Sequence, residues 1–144
     1  HQRWMNDKKF DGGASTPEER ELRDFYKRLL NFVKDSRALM GEYQDIHYYN
    51  KEHTTPYDHR VYSFVRWSEA ERLVIVCNFD TEKSYEMDLK LPESLLDAWG
   101  LGDGSFDLEE QLFGQEKHVL QVDNGQGVIP LKLAPLESVI LKLK

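Results

Sequence analysis

Val61-Tyr62-Ser63-Phe64-Val65-Arg66-Trp67, a polar break over Ser68 to Arg72, and then Leu73-Val74-Ile75-Val76-Cys77-Asn78-Phe79-Asp80 form the stretch that decides the fold. Two runs rich in β-branched and aromatic residues around a short polar break are the pattern of an antiparallel hairpin with a longer loop. In the second run Leu73, Ile75, Cys77 and Phe79 fall on one face and Val74 and Val76 on the other, because successive strand side chains point to opposite sides. A strand that is apolar on both faces is covered on both. The hairpin is therefore predicted to sit at the centre of a sheet, with one face on the core and the other under something else.

Outward from the hairpin, the chain continues to read as strands. Tyr85, Met87, Leu89 and Leu91 alternate with Glu86, Asp88 and Lys90, a half-buried strand with one wet face. Pro92 to Gly100 reads as a short helix with Leu95, Leu96 and Trp99 inward. Phe106 to Phe113, His118 to Val122, Gly127 to Leu133 and Ser138 to Leu143 read as further strands, with turn signals at Asp123-Asn124-Gly125 and a break at Ala134-Pro135-Leu136. On the other side, Tyr43 to Tyr49 reads as a strand and Lys51 to Pro56 as an irregular loop. Seven to eight short strands at this spacing predict a mainly β fold, an antiparallel Greek-key β-sandwich.

One long amphipathic helix is predicted ahead of the strands. Thr16 can cap it, Pro17 suits its first position, and Glu19 completes a capping box. Leu22, Phe25, Tyr26, Leu29, Leu30, Phe32 and Val33 make a wide apolar stripe, opposite Arg20, Arg23, Asp24, Lys27, Arg28 and Lys34. It ends near Asp35 to Met40, with Gly41 as a stop. No second long helix is present in the pattern to cover that stripe, so the sheet or another domain is expected to do so. Residues 1 to 14 show neither helical nor strand periodicity and read as a loop or tail. The chain opens inside that loop without a Met, and a fragment of something longer is expected.

Charge narrows the partners. Residues 1 to 60 hold eleven basic and eleven acidic side chains, but residues 61 to 144 hold eight and fifteen. An acidic β half repels phosphate, so neither nucleic acid nor an anionic membrane is expected as a partner. No run approaches the length of a membrane helix, and no signal-peptide pattern opens the chain. A lone cysteine, Cys77, cannot form an internal disulfide and reads as a small core residue. The compartment stays open.

No catalytic, cofactor or metal site is expected. Glu109 and Glu110 are adjacent on a predicted strand, so their carboxylates point to opposite faces and cannot flank one bond. The histidines at 1, 47, 53, 59 and 118 show no helical pairing and no cysteine partners at zinc spacing. Asp123-Asn124-Gly125 lacks the later bidentate acid of a calcium loop and reads as a hairpin turn. Trp4, Tyr43, Tyr48, Tyr49, Tyr57 and Trp67 have two readings. They pack the helix or a neighbouring domain on the sheet, or they stack on sugar rings, with Tyr48, Tyr49 and Trp67 as the candidate sugar contacts.

Phe25-Tyr26-Lys27-Arg28-Leu29-Leu30-Asn31-Phe32, then Ala38-Leu39-Met40-Gly41-Glu42-Tyr43, the hairpin from Val61 to Phe79, Leu112-Phe113-Gly114, Ile129-Pro130-Leu131 and Pro135-Leu136-Glu137-Ser138-Val139-Ile140-Leu141-Lys142-Leu143 follow one another in an order that is itself informative. That series resembles the end of an α-amylase family (family 13) glycoside hydrolase, where a last barrel helix precedes a C-terminal β-sandwich called domain C. The opening Arg3-Trp4-Met5-Asn6-Asp7 with Phe10-Asp11-Gly12-Gly13 is similar to a loop of cyclomaltodextrinase-like and neopullulanase-like members. The resemblance implies that 1–40 is the remnant of a catalytic barrel and 41–144 is domain C. It implies a structural role, stabilising the barrel, with a carbohydrate-binding module for starch or maltooligosaccharides as the alternative. The family's paired catalytic carboxylates would then lie upstream of His1, and none is carried onto a residue here. The implied partners are the missing barrel of the same chain and α-glucan.

Overall fold

The computed structural model describes residues 41–112 and 117–144, together with the backbone of 5–6 and 9–10 and the helical, exposed residues Arg20 and Asp24. Arg20 and Asp24 belong to the polar side of the helix predicted over 17–35, whose other residues lie outside the described set. Near the start, β1 (Met5–Asn6) pairs antiparallel with β2 (Lys9–Phe10). This corrects the loop expected there, since a ladder of two residues is too short to show a period.

Among the described residues the further elements are β3 (Glu42–Asp45), α1 (His47–His53), β4 (Val61–Trp67), β5 (Arg72–Asn78), β6 (Tyr85–Leu91), α2 (Glu93–Trp99), β7 (Gly104–Glu110), β8 (Lys117–Asp123), β9 (Gln126–Leu133) and β10 (Ser138–Leu143). The fold is mainly β, as the alternation predicts. Eight antiparallel strands form one sheet in the order β3-β4-β5-β10-β7-β8-β9-β6. The chain leaves β5 for the far edge at β6, and leaves β9 to place β10 between β5 and β7. The sheet curls on itself, because inward residues of β4 to β10, among them Val65, Val76, Leu89, Leu108, Leu120, Ile129 and Leu141, share one core. Short helix α2 stands as predicted, burying Leu95, Leu96 and Trp99, and Gly100 ends it in the left-handed conformation (φ 69°). Asn124 and Gly125 turn the β8–β9 hairpin with φ of 49° and 78°, the pair of positive values that a two-residue hairpin loop requires. Past that turn β8 and β9 diverge, since only 121–123 pair with 126–128, and Pro130 lies in the divergent part, where β9 needs no N–H for β8.

The strand expected over Tyr43 to Tyr49 is corrected. It ends at Asp45, and the next residues form α1, reaching into the expected loop. The cause is local: the Asp45 carboxylate accepts the backbone N–H of His47, an Asx-type turn that diverts the chain from extended pairing. What holds α1 in place is not local. Ile46 N–H donates to the Ser63 carbonyl on β4 at 3.3 Å. On the other side the fully buried Asn50 accepts the Lys90 N–H of β6 at 2.8 Å and donates to the Lys90 carbonyl at 3.0 Å. Thr54 Oγ1 donates to Asn50 Oδ1 at 2.6 Å and fixes the amide. Thus α1 spans from β4 to β6 and satisfies the backbone of an edge strand through one carboxamide.

A second buried amide ties the two crossovers together. Asn78 Nδ2 donates to the carbonyls of Lys83 and Ala134, both at 2.9 Å, and Asn78 Oδ1 accepts the Asp80 N–H. At the same end the fully buried Tyr85 sends its hydroxyl to the Asp58 carboxylate at 2.8 Å. Burial, followed by that bond, pushes the Tyr85 hydroxyl up to about 12. Desolvation opposes ionisation of Asp58, but the Arg60 N–H and the Tyr85 hydroxyl together hold it below the ordinary 3.8.

Asn50→Ala strands both backbone groups of Lys90, and at roughly 1–3 kcal/mol for each buried unpaired group we expect a loss of a few kcal/mol in urea unfolding; Asn50→Asp, which cannot donate to the Lys90 carbonyl, should lose stability too. A wild-type midpoint for Asn50→Ala would show that water replaces the amide. Because the folded value of Asp58 is depressed, its contribution is present above the unfolded value near 3.8 and disappears as pH falls through the lower folded one. Asp58→Asn should therefore flatten the acid side of the stability profile, and an unaltered acid limb would contradict this assignment.

Candidate functional site

Alternation along β4 sends Val61, Ser63 and Val65 inward and Tyr62, Phe64 and Arg66 outward. Pairing with β3 sets Tyr43 opposite Arg66 and Asp45 opposite Phe64. The outer face thereby gathers rings. Tyr43 lies 5.5 Å from Phe64, the Arg66 guanidinium lies 5.7 Å from the Tyr43 ring centre, and the hydroxyls of Tyr43 and Tyr62 are 2.7 Å apart. His47, at the start of α1, stacks on Tyr62 (5.2 Å, 30°) and meets Tyr48 edge-on (5.2 Å, 73°). The belt thus runs Tyr48, His47, Tyr62, Phe64, Tyr43, Arg66, and it is wettest at Tyr48 (69% exposed) and Tyr43 (48%).

Phe64 joins the belt to a second apolar cluster. Leu73, Ile75 and Cys77 of β5 and Ile140 of β10 are buried on the face of the sheet opposite the main core, with Phe64 and Leu112 packed against them. The two apolar faces read from β5 are both real. Burial pushes the Cys77 thiol up to about 11, outweighing the Ser138 hydrogen bond that lowers it.

A polar chain runs beneath the belt. His47 Nδ1 lies 3.1 Å from the Tyr57 hydroxyl, which lies 2.8 Å from Ser63 Oγ. In composition this resembles a base beside a nucleophile, but Ser63 is completely buried and no substrate reaches it. Burial, reinforced by the Asp45 charge, holds the Tyr57 hydroxyl well above its ordinary range despite the Ser63 bond. The Tyr62 hydroxyl is raised too, first by its bond to Tyr43 and then by burial. These hydrogen bonds brace the belt from beneath.

The sequence-predicted sugar contacts do not form one platform. Tyr48 and Tyr49 are consecutive on a helix, so they point about 100° apart. Tyr49 stacks on His53 (4.2 Å, 19°) and accepts a 3.3 Å hydrogen bond from Gln126 Nε2. Trp67 packs edge-to-face with the buried Trp99 (6.0 Å, 77°). Trp4 lies outside the described residues. Sequence reasoning missed Tyr62, Phe64 and His47 as partners in the belt; the alternation of Tyr62, Phe64 and Arg66 was the available signal. Glu109 and Glu110 do diverge: Glu109 pairs with Lys144 at 3.2 Å, while the buried Glu110 accepts the N–H groups of Leu112 and Ile140. Among the described residues no three His, Cys, Asp or Glu side chains cluster as a metal site, and no helix is long and apolar enough to cross a membrane.

Comparison with known proteins adds a family. The family described as alpha amylase, C-terminal all-beta domain, matches residues 52–144. Among solved structures the chain is similar to an alpha-amylase from Geobacillus thermoleovorans complexed with acarbose (16% identity, TM-score 0.57, 95% of this chain and 25% of that one). It is also similar to an Anoxybacillus alpha-amylase (16%, 0.54, 96% and 25%) and to AmyP in complex with maltose (21%, 0.51, 92% and 23%). At these identities the likeness is one of fold. The chain spans about a quarter of the length of the structures it matches. No curated protein matches it significantly.

The outer cluster makes a chemical prediction. With its thiol raised to about 11 and its side chain covered, Cys77 should resist iodoacetamide in the folded chain at mildly alkaline pH and react at a free-thiol rate once urea unfolds it. Rapid labelling of the folded chain would mean that the outer face is open.

Proposed function

Because the chain belongs to the alpha amylase C-terminal all-beta domain family, we propose that it is the non-catalytic domain C of an α-glucan-degrading glycoside hydrolase and that it stabilises the catalytic barrel. The observation that carries the reading is the outer face of β4, β5 and β10. A sheet that serves only its own core needs one apolar face. This one has a second, at Leu73, Ile75 and Ile140, continued by the ring belt from Phe64 to Tyr48. Rings whose hydroxyls are spent on one another, as in Tyr43 with Tyr62, suit a packed intrachain interface of mixed polarity.

On this reading residues 1–40 belong to the barrel, and the apolar stripe of the helix predicted over 17–35 is a further part of the contact. The domain proper begins at 41, just ahead of β3. The sequence Arg3-Trp4-Met5-Asn6-Asp7 with Phe10-Asp11-Gly12-Gly13 favours a cyclomaltodextrinase-like or neopullulanase-like parent. The catalytic carboxylates lie on the barrel, and the substrate is a starch-type or maltodextrin chain. The angled rings at Tyr48 and His47, 73° apart, speak against a flat sugar platform along the belt.

The coding sequence upstream of His1 tests the reading first. Barrel-type βα repeats support it, and an unrelated domain overturns it. In the whole enzyme Ile75→Asp should lower the temperature at which glucan hydrolysis is lost by several degrees, with activity at low temperature retained. An unmoved inactivation temperature would remove the stabilising role.

A further inference from the structure

A cleft of about 410 Å³ lies beside Trp67, away from the polar chain of His47, Tyr57 and Ser63, and is lined by Gly41, Glu42, Trp67, Ser68, Glu69, Arg72 and Ala98. We propose that it is a binding site for a neutral pyranose unit of a glucan chain, with Trp67 as the stacking wall and Glu42, Glu69 and Arg72 as hydrogen-bonding partners for its hydroxyls.

The volume falls within the range of small-molecule sites, roughly 300–1,000 Å³. The half-buried Trp67 is held by its edge-to-face contact with Trp99, which is itself locked in the core. A rigid ring loses little entropy when a ligand stacks on it. The register explains the setting: Trp67 pairs with Glu42 on β3 and with Arg72 on β5, so two rows of the sheet end at one spot. Among the described residues no hydrogen bond or ion pair occupies the side chains of Glu42, Glu69 or Arg72, whereas Arg66 next door is bonded to the Gly41 carbonyl.

The chemistry of the lining selects the ligand class. Two carboxylates against one guanidinium repel phosphate, nucleic acid and acidic peptides. Arg72 disfavours a bare cation over the indole. An apolar ligand would strand three charged groups and the Ser68 hydroxyl. A ring with one apolar face and a rim of hydroxyls meets the indole and both kinds of hydrogen-bonding group together. That the sugar is α-linked glucose rests on the proposed function.

The test is a titration of the isotope-labelled 144-residue chain with maltoheptaose, following the indole N–H signals and assigning that of Trp67 from Trp67→Phe. Saturable shifts at the Trp67 indole and at the amides of Ser68 and Glu69 are expected at millimolar sugar. The double variant Glu69→Gln, Arg72→Ala changes two uncommitted side chains at the solvent edge. It should keep its amide spectrum and bind at least several-fold more weakly, whereas unchanged binding overturns the site. A silent Trp67 indole, with shifts absent or confined to Tyr48 and Tyr49, also overturns it and leaves the domain C reading untouched. Binding of cellohexaose in place of maltoheptaose would keep the cleft as a pyranose site and remove the α-glucan substrate from the proposed function.

Discussion

The carboxamide of Asn50 is the contact on which the closure of this domain depends. A sheet of eight antiparallel strands has two edges, and each presents backbone groups that must find partners. At β6 those partners include one side chain. Asn50 offers Lys90 an acceptor and a donor at 2.8 and 3.0 Å, the pair of bonds that a neighbouring strand would supply. Ile46 makes the corresponding attachment to β4 through Ser63. A seven-residue helix too short to be stable alone therefore does the work of a missing strand, and it is stable because both its flanks are tied to the sheet.

That closure separates an inside from an outside, and the two are treated differently. Inside, β4 to β10 contribute one continuous core, sealed at the crossover end by Asn78, which binds the loops after β5 and β9 at once. Outside, β5 and β10 keep a second apolar set, and β4 adds rings whose polar atoms are mostly paired with one another. The burial that raises the Cys77 thiol also covers the outer cluster around it. A domain built for solvent on this side would carry lysines and glutamates there, as β6 does with Glu86, Asp88 and Lys90.

Much of this was legible in the sequence because strands advertise themselves by alternation. The doubly apolar β5, the half-wet β6, the Asn124-Gly125 turn and helix α2 all follow from local patterns, and the structure keeps them. The expected strand over Tyr43 to Tyr49 failed because its deciding partners are distant. Tyr-rich sequence suits a strand, and only the Asp45 turn and the bonds of Asn50 to Lys90, forty residues on, make it helical. The candidate sugar contacts Tyr48, Tyr49 and Trp67 rest on residue type, and their surroundings come from the fold. Type could not say that Tyr49 is spent on His53 and Gln126, or that Trp67 leans on Trp99. The clustering of Trp67 with Glu42 and Arg72 needed the register of three strands, which composition does not contain.

The division of polar groups follows from the same geometry. Where carboxylates are buried they are consumed by backbone: Glu110 binds two N–H groups. Where they meet a hydroxyl they are tied down as well, as Asp58 is by Tyr85. A hydrolytic pair needs two carboxyl groups facing one bond with separate environments that push their proton affinities apart, and a strand that sends Glu109 and Glu110 to opposite sides cannot provide it. What the sheet can provide is rigidity. Side chains anchored on paired strands hold their positions more firmly than side chains on loops, so Glu42 on β3 and Arg72 on β5, opposite Trp67 in the register, stand where such a scaffold can contribute to recognition without contributing to chemistry.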